Sequence, residues 1–189
     1  MSHTALFVID IQNSLACDPS TQIPHASRIL SAGTSLLART RGAIDSARAR
    51  DEPTPVEVVV VQHEEGPEKG ALQRGSQAWG VAFPPRENDP DERLVAKDVR
   101  DTFHANPRLA DELRERGVRT VVAFGIQSEC CVLSTCLGAL EAGFEVVLLK
   151  GAHSTYDGND KAAREIEREV EERVVNAGAR VVDWKAWKP

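Results

Sequence analysis

The chain has 189 residues, 41% of them hydrophobic, enough to bury a sizeable core in one domain spanning residues 1–189. Its 23 basic and 29 acidic residues give a formal net charge of −6, which argues against the basic surface that nucleic acid or an anionic membrane demands. The apolar run at 5–9 is too short for a signal-peptide core or a membrane span, so a soluble, cytoplasmic protein with no membrane partner is expected.

Along the chain, short Val- and Ile-rich runs at 5–9, 56–61, 94–96, 118–124, 144–149 and 180–182 read as strands. Their hydrophobicity is continuous rather than alternating, the mark of strands buried on both faces of a parallel sheet. Helical patterns at 25–50, 106–117, 129–143 and 157–177 lie between them. Asn106-Pro107 reads as an N-cap with proline at the first helical position, while Gly117, Gly143 and Gly178 fall where helices should stop. In the last helix Ile166, Val170 and Val174 form an apolar stripe, and the surrounding charge run reads as a solvated face. The expectation is a three-layer α/β/α fold around a mostly parallel six-stranded sheet of the Rossmann-like kind.

Residues 16–24 and 64–93 escape this regularity. The second stretch is rich in Pro, Gly and charge, and loops of that length in compact domains are usually functional or disordered. It reads as a partly structured excursion over a site, with Trp79 and Phe83 as candidate apolar walls; the alternative is that Trp79 only anchors the loop to the core.

Ligands of open parallel α/β sheets bind outside the carboxyl ends of the strands. Reading each strand to its end places Asp10, Lys97 and Cys131 on one edge: a carboxylate, an ammonium and a thiol, which together can act as base, electrostatic orienter and nucleophile. Cys131 falls where a helix begins, and the unpaired N–H groups and dipole there are expected to depress its thiol pKa. The four cysteines (Cys17, Cys130, Cys131, Cys136) match no zinc spacing and form poor disulfide geometry, so reduced thiols are expected. Cys130-Cys131 and Cys136 also allow a thiol redox protein, although adjacent cysteines strain a disulfide and no Cys-x-x-Cys is present.

Three segments then carry a resemblance. Phe7-Val8-Ile9-Asp10-Ile11-Gln12-Asn13, Val95-Ala96-Lys97 followed by Asp101-Thr102-Phe103, and Gly125-Ile126-Gln127-Ser128-Glu129-Cys130-Cys131-Val132 with Thr135 and Ala139 are similar, in order, to the signature segments of the isochorismatase-like cysteine hydrolases. The resemblance implies that fold, with Asp10, Lys97 and Cys131 as the catalytic residues and Cys130 as a neighbour. It implies a non-proline cis peptide at Ile126–Gln127, with the Gln127 and Cys131 N–H groups facing a developing oxyanion. Gln12, His63, Trp79 and Phe103 are the expected substrate-binding residues. The implied reaction is hydrolysis of a C–N bond in a small-molecule amide, carbamoyl or ureido compound, or lactam. The alternatives are a non-catalytic small-molecule or partner-binding module on the same fold and an isochorismate-type enol-ether hydrolase. Metal-dependent nicotinamidases of the superfamily carry Asp-x-His after the second strand, where this chain reads Val61-Gln62-His63-Glu64 with no Asp-x-His, so no metal and no other cofactor is expected. Association as a dimer or tetramer is implied by the resemblance alone.

Overall fold

The computed structural model describes residues 3–189. It contains a six-stranded, all-parallel sheet in the order β3-β2-β1-β4-β5-β6, formed by β1 (His3–Ile9), β2 (Val56–His63), β3 (Glu92–Lys97), β4 (Val118–Ile126), β5 (Glu145–Ser154) and β6 (Arg180–Asp183). The central strands are the most apolar, and they alternate their side chains between two cores. Phe7, Ile9, Val121 and Ala123 face one side; Leu6, Val8, Val122 and Phe124 face the other.

On the first face the sheet meets α3 (Thr102–Ala105), α4 (Leu109–Glu115), α5 (Leu133–Glu141) and α6 (Ala163–Asn176), with Leu113, Ala139, Val170 and Val174 fully or nearly fully buried. On the second it meets α1 (Asn13–Ala16) and the long α2 (Ala26–Ala49), whose Ile29, Leu36 and Ile44 are buried completely. Among the described residues no helix is long and apolar enough to cross a membrane.

Three local expectations change. Helix α4 starts at Leu109, not at Asn106-Pro107, because Asn106 closes α3 instead: its Nδ2 donates to the carbonyls of Thr102 and Ala96 at 3.0 and 3.1 Å. The charged face of α6 is not wholly solvated. Glu167 is buried, and it accepts from Arg28 at 2.5 Å and from Ser154 Oγ at 2.6 Å. The helix after β4 begins with a π-helical turn, Ser128–Val132, before α5 proper.

The segment between β2 and β3 runs as turns tethered to the body. Glu92 takes a bidentate pair of bonds from Arg41, Arg86 reaches Asp45, and Val81 pairs with Gln12 in an isolated bridge. Phe83 lies on Gly33 of α2, where any Cβ would come within 2.5 Å of its ring. Phe83 is therefore an anchor in the second core and does not wall the site.

The order of strands places a topological switch between β1 and β4: β1 continues outward to β2 and β3, and the chain then returns past β1 to form β4. The crevice outside the carboxyl ends of those two strands is where such a sheet accepts ligands. Gly125 makes the approach close enough. Its φ of +139° lies in the region reserved for glycine, and a Cβ there would sit 2.0 Å from the Ile9 carbonyl oxygen.

Candidate active site

Asp10 follows β1 immediately, with its backbone held at a φ of +48° and its N–H donating to Val61 O at 3.1 Å. Lys97 ends β3, His63 ends β2, and Cys131 sits in the π-helical turn after β4. Four neighbouring or near-neighbouring strands thus deliver four side chains to one point, and the register of the parallel ladder pairs His63 directly with Lys97. Asp10, Lys97 and Cys131 are 1%, 3% and 9% exposed, a degree of burial at which a charge persists only beside a partner.

The partner is shared. Lys97 Nζ donates to Asp10 Oδ2 at 2.7 Å, to Cys131 Sγ at 3.1 Å and to His63 Nδ1 at 3.4 Å. An ammonium has three N–H donors and no acceptor, so these contacts use all of them and assign the Nδ1 lone pair of His63 to the lysine. Burial tends to lower the Lys97 pKa, but the Asp10 and Cys131 charges and hydrogen bonds more than offset it, and the ammonium is held above its ordinary value. His63 is held below its own, by burial first and by the Lys97 charge second, and is neutral at pH 7.

The thiol departs from the expectation based on helix position. Burial above all, and then the Asp10 carboxylate, push Cys131 up to about 12, against the opposing pull of Lys97. The orphan N–H groups and dipole of a helix terminus act at the surface scale of a few tenths to one kcal/mol, whereas desolvating a charge and placing it next to a carboxylate act at several. Burial and the neighbouring carboxylate therefore both favour the protonated thiol. That carboxylate keeps one buried oxygen, Asp10 Oδ1, with no hydrogen bond from the described residues.

The turn that carries Cys131 is fixed from several sides. The Ile126–Gln127 peptide is cis, and the Gln127 carbonyl accepts from the N–H groups of Cys130 and Val132, the residues on either side of Cys131, at 3.2 and 3.1 Å. Ser128, fully buried, bonds through Oγ to His153 Nδ1 at 2.8 Å. His153 Nε2 lies 3.6 Å from Glu171, which itself pairs with Lys150 at 3.0 Å. One helical turn on, Thr135 joins Thr102 at 2.9 Å and reaches the Arg100 carbonyl at 3.5 Å, tying α5 to the segment after Lys97. Gly138 permits this packing, because a Cβ there would meet the Asp101 carboxylate at 2.4 Å.

A crevice of about 340 Å³ opens over these groups, lined by Asp10, His63, Gln127, Cys130 and Cys131 on the sheet side, and by Ser14, Leu15, Glu65, Ala71, Leu72 and Arg100 around them. His63 lines this crevice. Gln12, Trp79 and Phe103 do not. Gln12 is fully buried and its amide is spent on backbone, donating to the carbonyls of His63 and Trp79 and accepting from the His63 N–H. Trp79 anchors the loop: its carbonyl accepts from Gln12 and Gln62, and its ring stays outside the crevice lining. Phe103 stacks on Phe7 at 5.6 Å and meets Phe144 at 5.8 Å within the core.

The apolar wall is instead Leu72, fastened by a reciprocal pair in which Glu65 N–H donates to Leu72 O at 2.8 Å and Leu72 N–H to Glu65 Oε2 at 3.0 Å. No periodicity marks such a loop contact in a sequence. Arg100 was within reach of sequence reasoning, since it lies between Lys97 and the capping residue Asp101.

Asp10, His63 and Cys131 also bring ligand atoms within 4.8 Å of one another, a set that could hold a metal ion. The residues do not fit one as they stand, because the Lys97 ammonium is bonded to all three and is already their common cation. Val61 and Gln62, at the position of an Asp-x-His pair, are committed elsewhere, Val61 to the core and Gln62 to the Trp79 carbonyl.

The comparisons agree with this geometry. A family model described as an isochorismatase domain matches residues 4–186. A streptothricin hydrolase from Streptomyces noursei is 33% identical over 153 residues, covering 81% of this chain and 55% of that protein; the chain spans about half the length of the curated relatives it matches. An isochorismatase-like hydrolase from Alkaliphilus metalliredigens superposes with a TM-score of 0.76 at 21% identity, over 97% of this chain and 93% of its own. The pyrazinamidase of Pyrococcus horikoshii, solved in complex with zinc, gives 0.68 at 21% identity over 96% and 99%. With the matching family model, the three ordered segments and the parallel sheet that unites their polar residues, the chain belongs to the isochorismatase family.

Proposed function

We propose that this chain is a cysteine-dependent amidohydrolase, cleaving the C–N bond of a small-molecule amide, carbamoyl or ureido compound, or lactam. The observation that supports it best is the Lys97 ammonium bonded at once to Asp10 and to Cys131. That contact gives a buried thiol both a proton acceptor and a cation to receive its charge. The similarity to a streptothricin hydrolase supports hydrolysis as the reaction class.

In this reading Asp10 takes the Cys131 proton as the sulfur attacks the substrate carbonyl carbon, and the S–C bond forms while the C=O electrons move to oxygen. The Gln127 and Cys131 N–H groups receive that oxyanion. Collapse breaks the C–N bond, and the proton held by Asp10 leaves with the nitrogen as ammonia or an amine. Water then attacks the thioester, giving one proton to Asp10; the C–S bond breaks and the proton returns to sulfur. The high thiol pKa fits this sequence, because the proton is removed only when a carbonyl is in place to accept the sulfur.

A divalent ion at Asp10, His63 and Cys131 would have to displace the Lys97 ammonium. The test is ammonia release from a panel of small amides, ureido acids and lactams. Cys131→Ala is expected to abolish release and Cys130→Ala to retain most of it; a Cys131→Ala protein with undiminished turnover would overturn the proposal.

A further inference from the structure

The charged groups around the crevice differ in how far each is already engaged. Asp10 is matched by Lys97 at 2.7 Å. Glu65 is occupied by its own loop, where its Oε2 takes the Leu72 N–H at 3.0 Å and crowds Gly70 so closely that a Cβ there would lie 1.9 Å away. His63 is neutral. Arg100 is the cation of the lining: it borders the same crevice as Cys130 and Cys131, and among the described residues its guanidinium makes no ion pair and no hydrogen bond, whereas Lys97 is spent on Asp10.

Its backbone, in contrast, is fixed. The short link from Lys97 to Asp101 is held at one end by the buried ammonium and at the other by the Asp101 cap on the Phe103 N–H at 2.9 Å. In the middle, the Arg100 carbonyl accepts from Thr135 Oγ1 at 3.5 Å, on the helix that follows Cys131. The guanidinium thus extends from a pinned base into the space where a substrate lies. Its charge reaches the nucleophile's neighbour, opposing the upward push that burial and Glu129 exert on the Cys130 thiol.

We infer that Arg100 is a specificity-determining residue and that the substrate of this site is an amide or ureido compound bearing a carboxylate, which the guanidinium holds while Cys131 attacks the amide carbonyl. The inference rests on the cysteine hydrolase reading above and adds to it the charge of the substrate. A guanidinium offers two parallel N–H donors matched to the two carboxylate oxygens, and a preorganised fork of this kind fixes orientation as well as affinity. Arg100 is exposed, so its unpaired charge costs little until a substrate covers it.

The experiment separates the anchor from the chemistry. Cys131 is alkylated with iodoacetate and with iodoacetamide, reagents of matched size that differ in charge, in the wild-type protein and in Arg100→Ala and Arg100→Lys, with the site of labelling read by tandem mass spectrometry. Arg100→Ala is expected to slow iodoacetate about three- to five-fold and to leave iodoacetamide unchanged, with Arg100→Lys in between. In parallel, N-carbamoylglycine is compared with its methyl ester as a substrate. A drop of roughly 10-fold or more in kcat/KM for the acid alone is expected in Arg100→Ala.

If both reagents slow together, or neither does, or if the ester is the better substrate in wild type and in Arg100→Ala alike, the anchor is overturned, whatever the fate of Cys131. If Cys131→Ala retains full hydrolysis, the cysteine hydrolase reading fails instead.

Discussion

Replacing Asp10 with Asn should make Cys131 more reactive towards an alkylating agent while destroying turnover. The side chain keeps its shape and loses its charge, and that charge is the second cause, after burial, of the high thiol pKa. The ligand atoms of Asp10 and Cys131 lie within 4.8 Å of each other. At that separation, and with an effective dielectric of about 20, a pair of unit charges interacts by roughly 3.5 kcal/mol. Removing the repulsion therefore raises the thiolate fraction at neutral pH by about 300-fold. A less basic thiolate also attacks more slowly, with a Brønsted slope of about 0.4–0.5, which leaves a net gain of roughly 20- to 30-fold in alkylation rate. The assay is iodoacetamide labelling of Cys131 at pH 7, run beside ammonia release, where loss of the base should cost about 10²–10⁴ in rate. The competing arrangement is a resting thiolate paired with Lys97 and a protonated Asp10. In that case Asp10→Asn would leave labelling unchanged or slower, and the reasoning from burial and carboxylate repulsion would be refuted.

Three further outcomes follow from other contacts. Prolonged chelation with EDTA should leave turnover unchanged, because Lys97 serves as the cation for Asp10, His63 and Cys131; loss of activity restored by zinc would contradict this. His153→Ala should destabilise the protein by about 2–4 kcal/mol in urea unfolding, since it removes a fully buried ring and orphans Ser128 Oγ. Because Ser128 lies in the turn that carries Cys131, the variant should also lose kcat at unchanged KM, and equal kcat would confine His153 to stability. Finally, the depressed pKa of His63 means that the unfolded chain binds its proton first, so this residue's contribution to stability is present above the ordinary histidine value and is lost as pH falls through the folded one. The midpoint of thermal unfolding should fall between pH 7.5 and pH 5.5, and His63→Gln should flatten that slope.

The fold was legible because the strands are buried on both faces: each Val- and Ile-rich run became a strand of the sheet, in an all-parallel arrangement. Helix boundaries were less so. Asn106-Pro107 carries the local signature of a helix start, yet tertiary bonds to Ala96 and Thr102 claim the Asn106 side chain and move the start to Leu109. The meeting of Asp10, Lys97 and Cys131 was readable from a topological rule, since residues at the carboxyl ends of parallel strands share an edge whatever lies between them in sequence. The lining of the crevice was not, because Gln12, Trp79 and Phe103 have the right chemistry for a ligand but spend it on the protein itself. A sequence shows which donors and rings exist, not which are already satisfied.

The thiol illustrates the same limit and gives the site its logic. Position at a helix start suggested a depressed pKa, but the result depends on a balance among burial, one carboxylate and one ammonium that only coordinates can display. A permanently ionised thiolate at this depth would put two buried anions, the thiolate and the Asp10 carboxylate, on a single ammonium. Keeping the proton on sulfur lets Lys97 hold the carboxylate at 2.7 Å and still lie 3.1 Å from the atom that acquires charge when the proton moves. The ammonium then stabilises the negative charge on whichever of the two atoms carries it. In the proposed reaction, proton transfer from Cys131 to Asp10 changes where the charge sits without changing the number of charges buried, which is a condition for easy transfer at this depth.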